Sequence, residues 1–268
     1  MSSDSHTESA PVSPDADASP AGGAARAIAV AVLLAIAGPV LGIVLVNLAV
    51  VPLAFAGVEI TPILNISLSL VFLTWGGIGG VALLYLRYRG KDLSYFGVRV
   101  PSFRDWVAAV VGYVAALALG LSAAVAVSQL GVEAGTNQAA QLGMENPEVL
   151  LLLLPASFLF IGVGEELLFR GVVQTRLRET FSPAVGILLA SVIFAAIHYA
   201  AVSGSPMARF TSISLLIFPS VVFGIVYEYT DNLVVPVLIH GAYDATLFSM
   251  LYLAVKFAEM PQETVLFV

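Results

Sequence analysis

AIAVAVLLAIAGPVLGIVLVNLAVVPLAFAGV, residues 27–58, carries no ionisable side chain, and this stretch decides the fold class. A membrane-crossing helix needs ~20 apolar residues, so the run is long enough for one crossing and part of a loop. Two further charge-free runs follow at 60–86 and 106–132. Of the 268 residues, 59% are hydrophobic and 11% charged, and mean hydropathy is +0.96. Soluble domains average about 25% charged residues, so this chain lacks the groups that would solvate its exterior. Lipid is the solvent it fits. The reading is an all-α, polytopic transmembrane helical bundle of about seven to eight spans.

Working outward, residues 1–25 hold Asp4, Glu8, Asp15 and Asp17 among Ser, Ala and Pro, without Lys or Arg, and read as a disordered acidic cytoplasmic tail. Residues 26–146 read as three transmembrane helices with a basic cytoplasmic loop, 147–257 as a core of further spans, and 258–268 as a C-terminal tail. Gly76 and Gly80 supply the small-xxx-small spacing that lets helices approach closely in lipid. The core spans run from about Pro147 past Arg170, Pro183 through His198, Phe210 to Tyr227, and Leu233 past Asp244. Lys and Arg favour cytoplasmic loops. Alternating crossings put Arg26, Arg87, Arg89, Lys91, Arg99, Arg104, Arg176 and Arg178 on one side, with Arg209 and Lys256 opposite. The expected protein is a multi-pass cell-membrane protein with its N-terminus in the cytoplasm.

The absence of cysteine excludes disulfides and a cysteine nucleophile. A net charge of −7 argues against nucleic acid as a partner. The partners expected are membrane lipids and a peptide or membrane-anchored protein substrate.

Ionisable side chains at membrane depth are costly unless paired or hydrated, which makes them functional candidates. Here they recur at a spacing of four, which shares one helix face: Glu166 with Arg170, and His240 with Asp244, while Phe194 stands in the same relation to His198. Glu166 is placed to pair with Arg170, leaving Glu165, turned about 100° away, for other work. Glu165 and His198 lie equally far from a turn near 180–183, so two antiparallel helices bring them to one level. His240 is compatible with that level, in the half of the bundle bearing the basic loops. A carboxylate there can act as general base on water, with a histidine to orient it. A second histidine can stabilise the developing oxyanion.

GEELLFRGVVQTRL at 164–177, FAAIH at 194–198 and HGAYD at 240–244 resemble, in order, the EExxxR, FxxxH and HxxxN/D motifs of the CPBP family of intramembrane proteases. That family comprises type II CAAX prenyl proteases and bacteriocin-processing or self-immunity proteins. The resemblance covers roughly residues 147–252. It implies an intramembrane endopeptidase in which Glu165 and His198 activate water and His240 with Asp244 binds the oxyanion, supported by Glu166, Arg170 and Phe194. Asp244 departs from the asparagine usual in prenyl proteases, and an ionised Asp donates no hydrogen bond.

No cofactor is expected, and a divalent metal such as zinc is the alternative. Without metal, Glu165 is the base; with zinc, Glu165, His198 and His240 would form a His₂Glu set, although no HExxH is present. Rival functions are a non-catalytic member of the same family, acting in immunity or as a chaperone, and a proton-coupled transporter. No inverted repeat of broken helices supports the transporter. A rhomboid-like serine protease has only Ser122 to offer, and a presenilin-like aspartyl protease lacks its second membrane aspartate.

Overall fold

The computed structural model describes residues 20–257. The expected tail at 258–268 and residues 1–19 of the N-terminal one lie outside them, while residues 20–25 form the first turns of a helix. Seven helices are long and apolar enough to cross a membrane: α1 (Gly22–Phe55, within a helix that begins at Pro20), α2 (Pro62–Tyr88), α3 (Phe103–Gln129), α5 (Pro147–Arg178), α6 (Pro183–Ala201), α7 (Pro206–Thr230) and α8 (Val234–Phe257). Between α3 and α5 lies the short α4 (Gln138–Glu145). A two-residue antiparallel pair, β1 (Thr136–Asn137) with β2 (Val202–Ser203), ties the start of α4 to the end of α6. The chain is an all-α polytopic membrane bundle.

Helix starts follow local chemistry. Thr61, Ser102 and Ser205 accept hydrogen bonds from the first-turn backbone of α2, α3 and α7, satisfying amides that have no partner within the helix. Pro62, Pro147, Pro183 and Pro206 occupy the first turns, where a missing N–H costs nothing. Asp231 ends α7 in the left-handed conformation (φ 45°), so the chain reverses within three residues into α8.

Packing of α1 on α2 depends on close backbone approach, at Gly76 as the spacing predicts and most tightly at Gly77, but not at Gly80. A methyl group at Gly77 would overlap the Cα and N of Gly42, whereas one at Gly80 would meet only ordinary contacts. The reason is the π-helical winding of Ser69–Gly79, which rotates the succeeding face relative to an α-helix. Gly77→Ala is therefore expected to destabilise the bundle by about 3 kcal/mol, the upper end for overpacking against rigid neighbours. Thermal unfolding in detergent checks this, with Gly80→Ala as the mild comparison.

One end of the bundle collects the basic residues. Arg99 pairs with Asp105 at 2.6 Å and donates to the Thr230 carbonyl; Arg178 grips Glu228 at 2.7 Å; Arg89 and Arg176 both pair with Glu179, at 3.0 and 2.7 Å. Partial burial pushes the Glu179 carboxyl up, but the hydrogen bond from Arg89 and the charge of Arg176 outweigh it and hold it below the usual carboxylate range. A lowered folded value means this clasp contributes above the ordinary carboxylate range and fades as pH falls through the lowered value. At this exposure the contribution is about 0–1 kcal/mol, so acidification through that range is expected to lower the melting temperature only slightly more in the wild type than in Glu179→Gln.

Candidate active site

The four core spans bring the chemistry together. In α5, π-helical turns at Ser157–Ile161 and Leu167–Gln174 flank a single α-helical stretch, Gly162–Glu166, that carries both glutamates. Such turns insert a residue and re-aim the side chains beyond it, and they concentrate at functional sites. Small residues let neighbours close on this stretch: a Cβ at Gly164 would lie 2.8 Å from Thr74 of α2, and one at Gly162 3.0 Å from the Val237 carbonyl of α8.

Glu166 and Arg170 are fully buried and paired at 2.9 Å across one helical turn. Arg170 also donates to the carbonyl and hydroxyl oxygens of Ser220 in α7, at 3.0 and 2.9 Å. Its guanidinium lies over the rings of Phe194 and Phe223, 5.1 and 5.4 Å from their centres. One turn further along α5, Gln174 donates to the Gly224 carbonyl at 3.0 Å. The α5 stripe thus anchors the backbone of α7.

Glu166 Oε1 accepts a second hydrogen bond, from His240 Nδ1 at 2.7 Å. The pairing of Glu166 with Arg170 matches the expectation from spacing; the bond to His240 has no counterpart in the motif spacing. His240 is buried and stacked on Phe223 at 5.1 Å. With Nδ1 engaged, its Nε2 faces Asp244 Oδ2 at 3.4 Å and Glu165 Oε2 at 3.8 Å.

His198 sits where α6 tightens into a 3-10 turn, His198–Ala201. Its backbone N–H turns to the carbonyls of residues 195 and 196. The Phe194 carbonyl takes the ring Nδ1–H instead, at 2.7 Å. A carbonyl only accepts, so the hydrogen is on Nδ1 and Nε2 is free to accept. That nitrogen points at Glu165 Oε2, 3.9 Å away. Phe194 therefore acts through its backbone as well as its ring, which packs between His198 (4.5 Å), Phe169 (5.0 Å) and His240 (6.1 Å).

Glu165, His198, His240 and Asp244 all line one cavity of about 720 Å³. Distances of 3.8 and 3.9 Å from Glu165 Oε2 to the two Nε2 atoms exceed a direct hydrogen bond. The 3.9 Å gap between Glu165 and His198 is of a size that a single water bridges with bonds of about 2.8 Å to each. As to zinc, bonds of ~2.0–2.1 Å in a tetrahedron set ligand atoms about 3.3 Å apart. Glu165, His198 and His240 are not drawn in that far, and among the described residues no group of three or more His, Asp or Glu side chains is arranged to hold a metal ion.

Four participants carry no mark that the motifs pick out. Gln174 stands four residues beyond Arg170, a signal of the same kind as Glu166–Arg170. Ser220 and Phe223 face α5 only through the packing of α7, for which the sequence carries no local sign. Tyr243, which lines the cavity beside Asp244, lies inside the third motif but at one of its unspecified positions.

Residues 147–246, which contain Glu165, His198, His240 and Asp244, match the family described as type II CAAX prenyl endopeptidase Rce1-like. An uncharacterized protein of Bacillus subtilis (strain 168), YpbD, is 40% identical over 88 residues, a match covering 32% of this chain and 39% of the relative. The match thus spans well under half the length of that relative. No solved structure matches the chain. With its three motifs on three packed membrane helices, the segment 147–246 is similar to the Rce1-like family of type II CAAX prenyl endopeptidases.

Proposed function

We propose that the chain is an intramembrane endopeptidase that hydrolyses a peptide bond of a membrane-associated substrate with water activated by Glu165 and His198, without a metal. The observation that carries this is the convergence of Glu165 Oε2 and the free Nε2 of His198, from antiparallel helices, on the floor of a cavity. Water held between them donates one hydrogen to each. As its oxygen attacks the peptide carbonyl carbon, Glu165 takes the proton. The carbonyl oxygen becomes an oxyanion beside His240, whose Nε2–H donates to it while Glu166 on Nδ1 supports the imidazolium. Collapse breaks the C–N bond, and the proton held by Glu165 passes to the departing amine. The products are a carboxylic acid and an amine, and the base is regenerated.

His198→Ala tests this. Reconstituted in liposomes, the variant is expected to lose cleavage by on the order of 10²-fold or more while inserting normally; unchanged turnover contradicts the reading. Activity is expected to survive exhaustive chelation, and loss on chelation with recovery on added zinc would overturn the metal-free step. Asp244 cannot donate to an oxyanion when ionised, so its work lies in orienting His240, 3.4 Å away. Asp244→Asn keeps the shape, adds a donor, and is expected to retain activity within about tenfold. Peptide products quantified by mass spectrometry decide each case.

A further inference from the structure

The cavity has a direction. From Glu165 and His198 it runs along the first half of α2, past Asn65 and Ser69, to Gln138 of α4 and to Val202, where α6 ends. All of these lie toward the end of the bundle where α3 finishes and α5 begins. Toward the other end lies packed core. Phe96, Leu168, Phe169, Val173 and Leu177 are completely buried and belong to one continuous core. Beyond that core the basic loops are clasped by Arg89–Glu179, Arg178–Glu228 and the Arg99 contacts. His198 lies in the last turn of α6 on the open side, and the cavity runs on from it away from the basic loops.

Charge orients the molecule. Arg26, Arg87, Arg89, Lys91, Arg99, Arg104, Arg176 and Arg178 belong to the closed end, and only Arg209 and Lys256 to the open one. Positive charge near span ends is retained in the cytoplasm. We propose that the closed end is cytoplasmic and that the site takes its substrate from the extracytoplasmic side: a peptide segment of an exported chain, or the outer portion of a membrane protein. Asn65, Ser69, Gln138 and Ser212 along the cavity wall give water and peptide amides polar partners on that route. A cytoplasmic C-terminal tail, the form in which a CAAX-type substrate would arrive, meets the sealed face. The substrate assignment rests on the protease reading above, whereas the direction of access stands on packing and charge.

The chain contains no cysteine, so single introduced thiols report cleanly on access. Glu133→Cys lies in the exposed loop at the open end, Asn65→Cys on the cavity wall, and Lys91→Cys in the basic loop. With a membrane-impermeant maleimide on intact cells, Glu133→Cys and Asn65→Cys are expected to label at least about tenfold faster than Lys91→Cys, which should react only after permeabilisation. The reverse pattern overturns the proposal. Should Asn65→Cys fail to accumulate, the two loop variants still decide the orientation. Externally labelled Asn65→Cys should in addition lose cleavage, while labelled Glu133→Cys retains it; full activity of labelled Asn65→Cys contradicts access along this route. Labelling does not depend on catalysis. Reversed labelling with Glu165-dependent cleavage intact would sink the direction of access alone, and the expected labelling with cleavage indifferent to Glu165 would support that direction while sinking the protease reading.

Discussion

Glu165→Gln is expected to lower peptide cleavage by on the order of 10²- to 10⁴-fold, the usual worth of a positioned general base, with little change in stability. Glutamine preserves the volume of the side chain and one acceptor oxygen, puts an NH2 donor in place of the other, and cannot take a proton from water. Glu165 stands 3.9 Å from His198 and 3.8 Å from His240, outside direct hydrogen-bond reach of either, so the substitution breaks no bond that holds helices together. The chemical step should fall while substrate affinity holds, which shows as reduced kcat at nearly constant KM. A variant that loses both activity and thermal stability would mark Glu165 as a structural residue.

Arg170→Ala is expected to act in the opposite way, through the fold. Arg170 is fully enclosed, shares Glu166 Oε1 with His240, and satisfies the carbonyl and hydroxyl of Ser220. Its loss strands a buried carboxylate and leaves oxygen atoms of α7 without a donor, at a cost of about 3–5 kcal/mol. Much of that comes from the uncompensated charge of Glu166. Adding Glu166→Gln to Arg170→Ala should therefore recover part of the loss, giving a coupling of at least about 1 kcal/mol in a double-mutant cycle followed by thermal unfolding. Strict additivity would show that the two groups act independently and that the 2.9 Å pair contributes nothing. Activity should not return with stability in the double variant, because His240 Nδ1 then faces a neutral amide in place of the carboxylate that supports its imidazolium.

Much of this architecture is legible in the sequence for a simple reason. In lipid every charge is conspicuous, so runs such as 27–58 delimit spans, and the few ionisable residues inside spans mark the site. The hairpin geometry that sets Glu165 level with His198 needs only the rise of a helix and the position of the turn. What stayed hidden depends on rotation. Whether His240 meets Glu166 or Glu165 is fixed by how α8 is turned about its axis, and that is set by packing at Gly162 and Gly241 rather than by motif spacing. The π-helical turns of α2 and α5 likewise shift the close contact from Gly80 to Gly77, a change no four-residue spacing encodes. The direction of the cavity is a property of the whole bundle, visible only when the buried core around Phe169 and Leu177 is set against the opening near Gln138.

Whether peptide bonds break because of Glu165 can be measured directly. Comparison of peptide termini in membranes from cells carrying the wild-type chain and cells carrying Glu165→Gln at equal abundance measures this for any substrate the membrane contains. New N- and C-termini that occur with the wild type and vanish with the variant are the expected result; indistinguishable termini in the two membranes would contradict it.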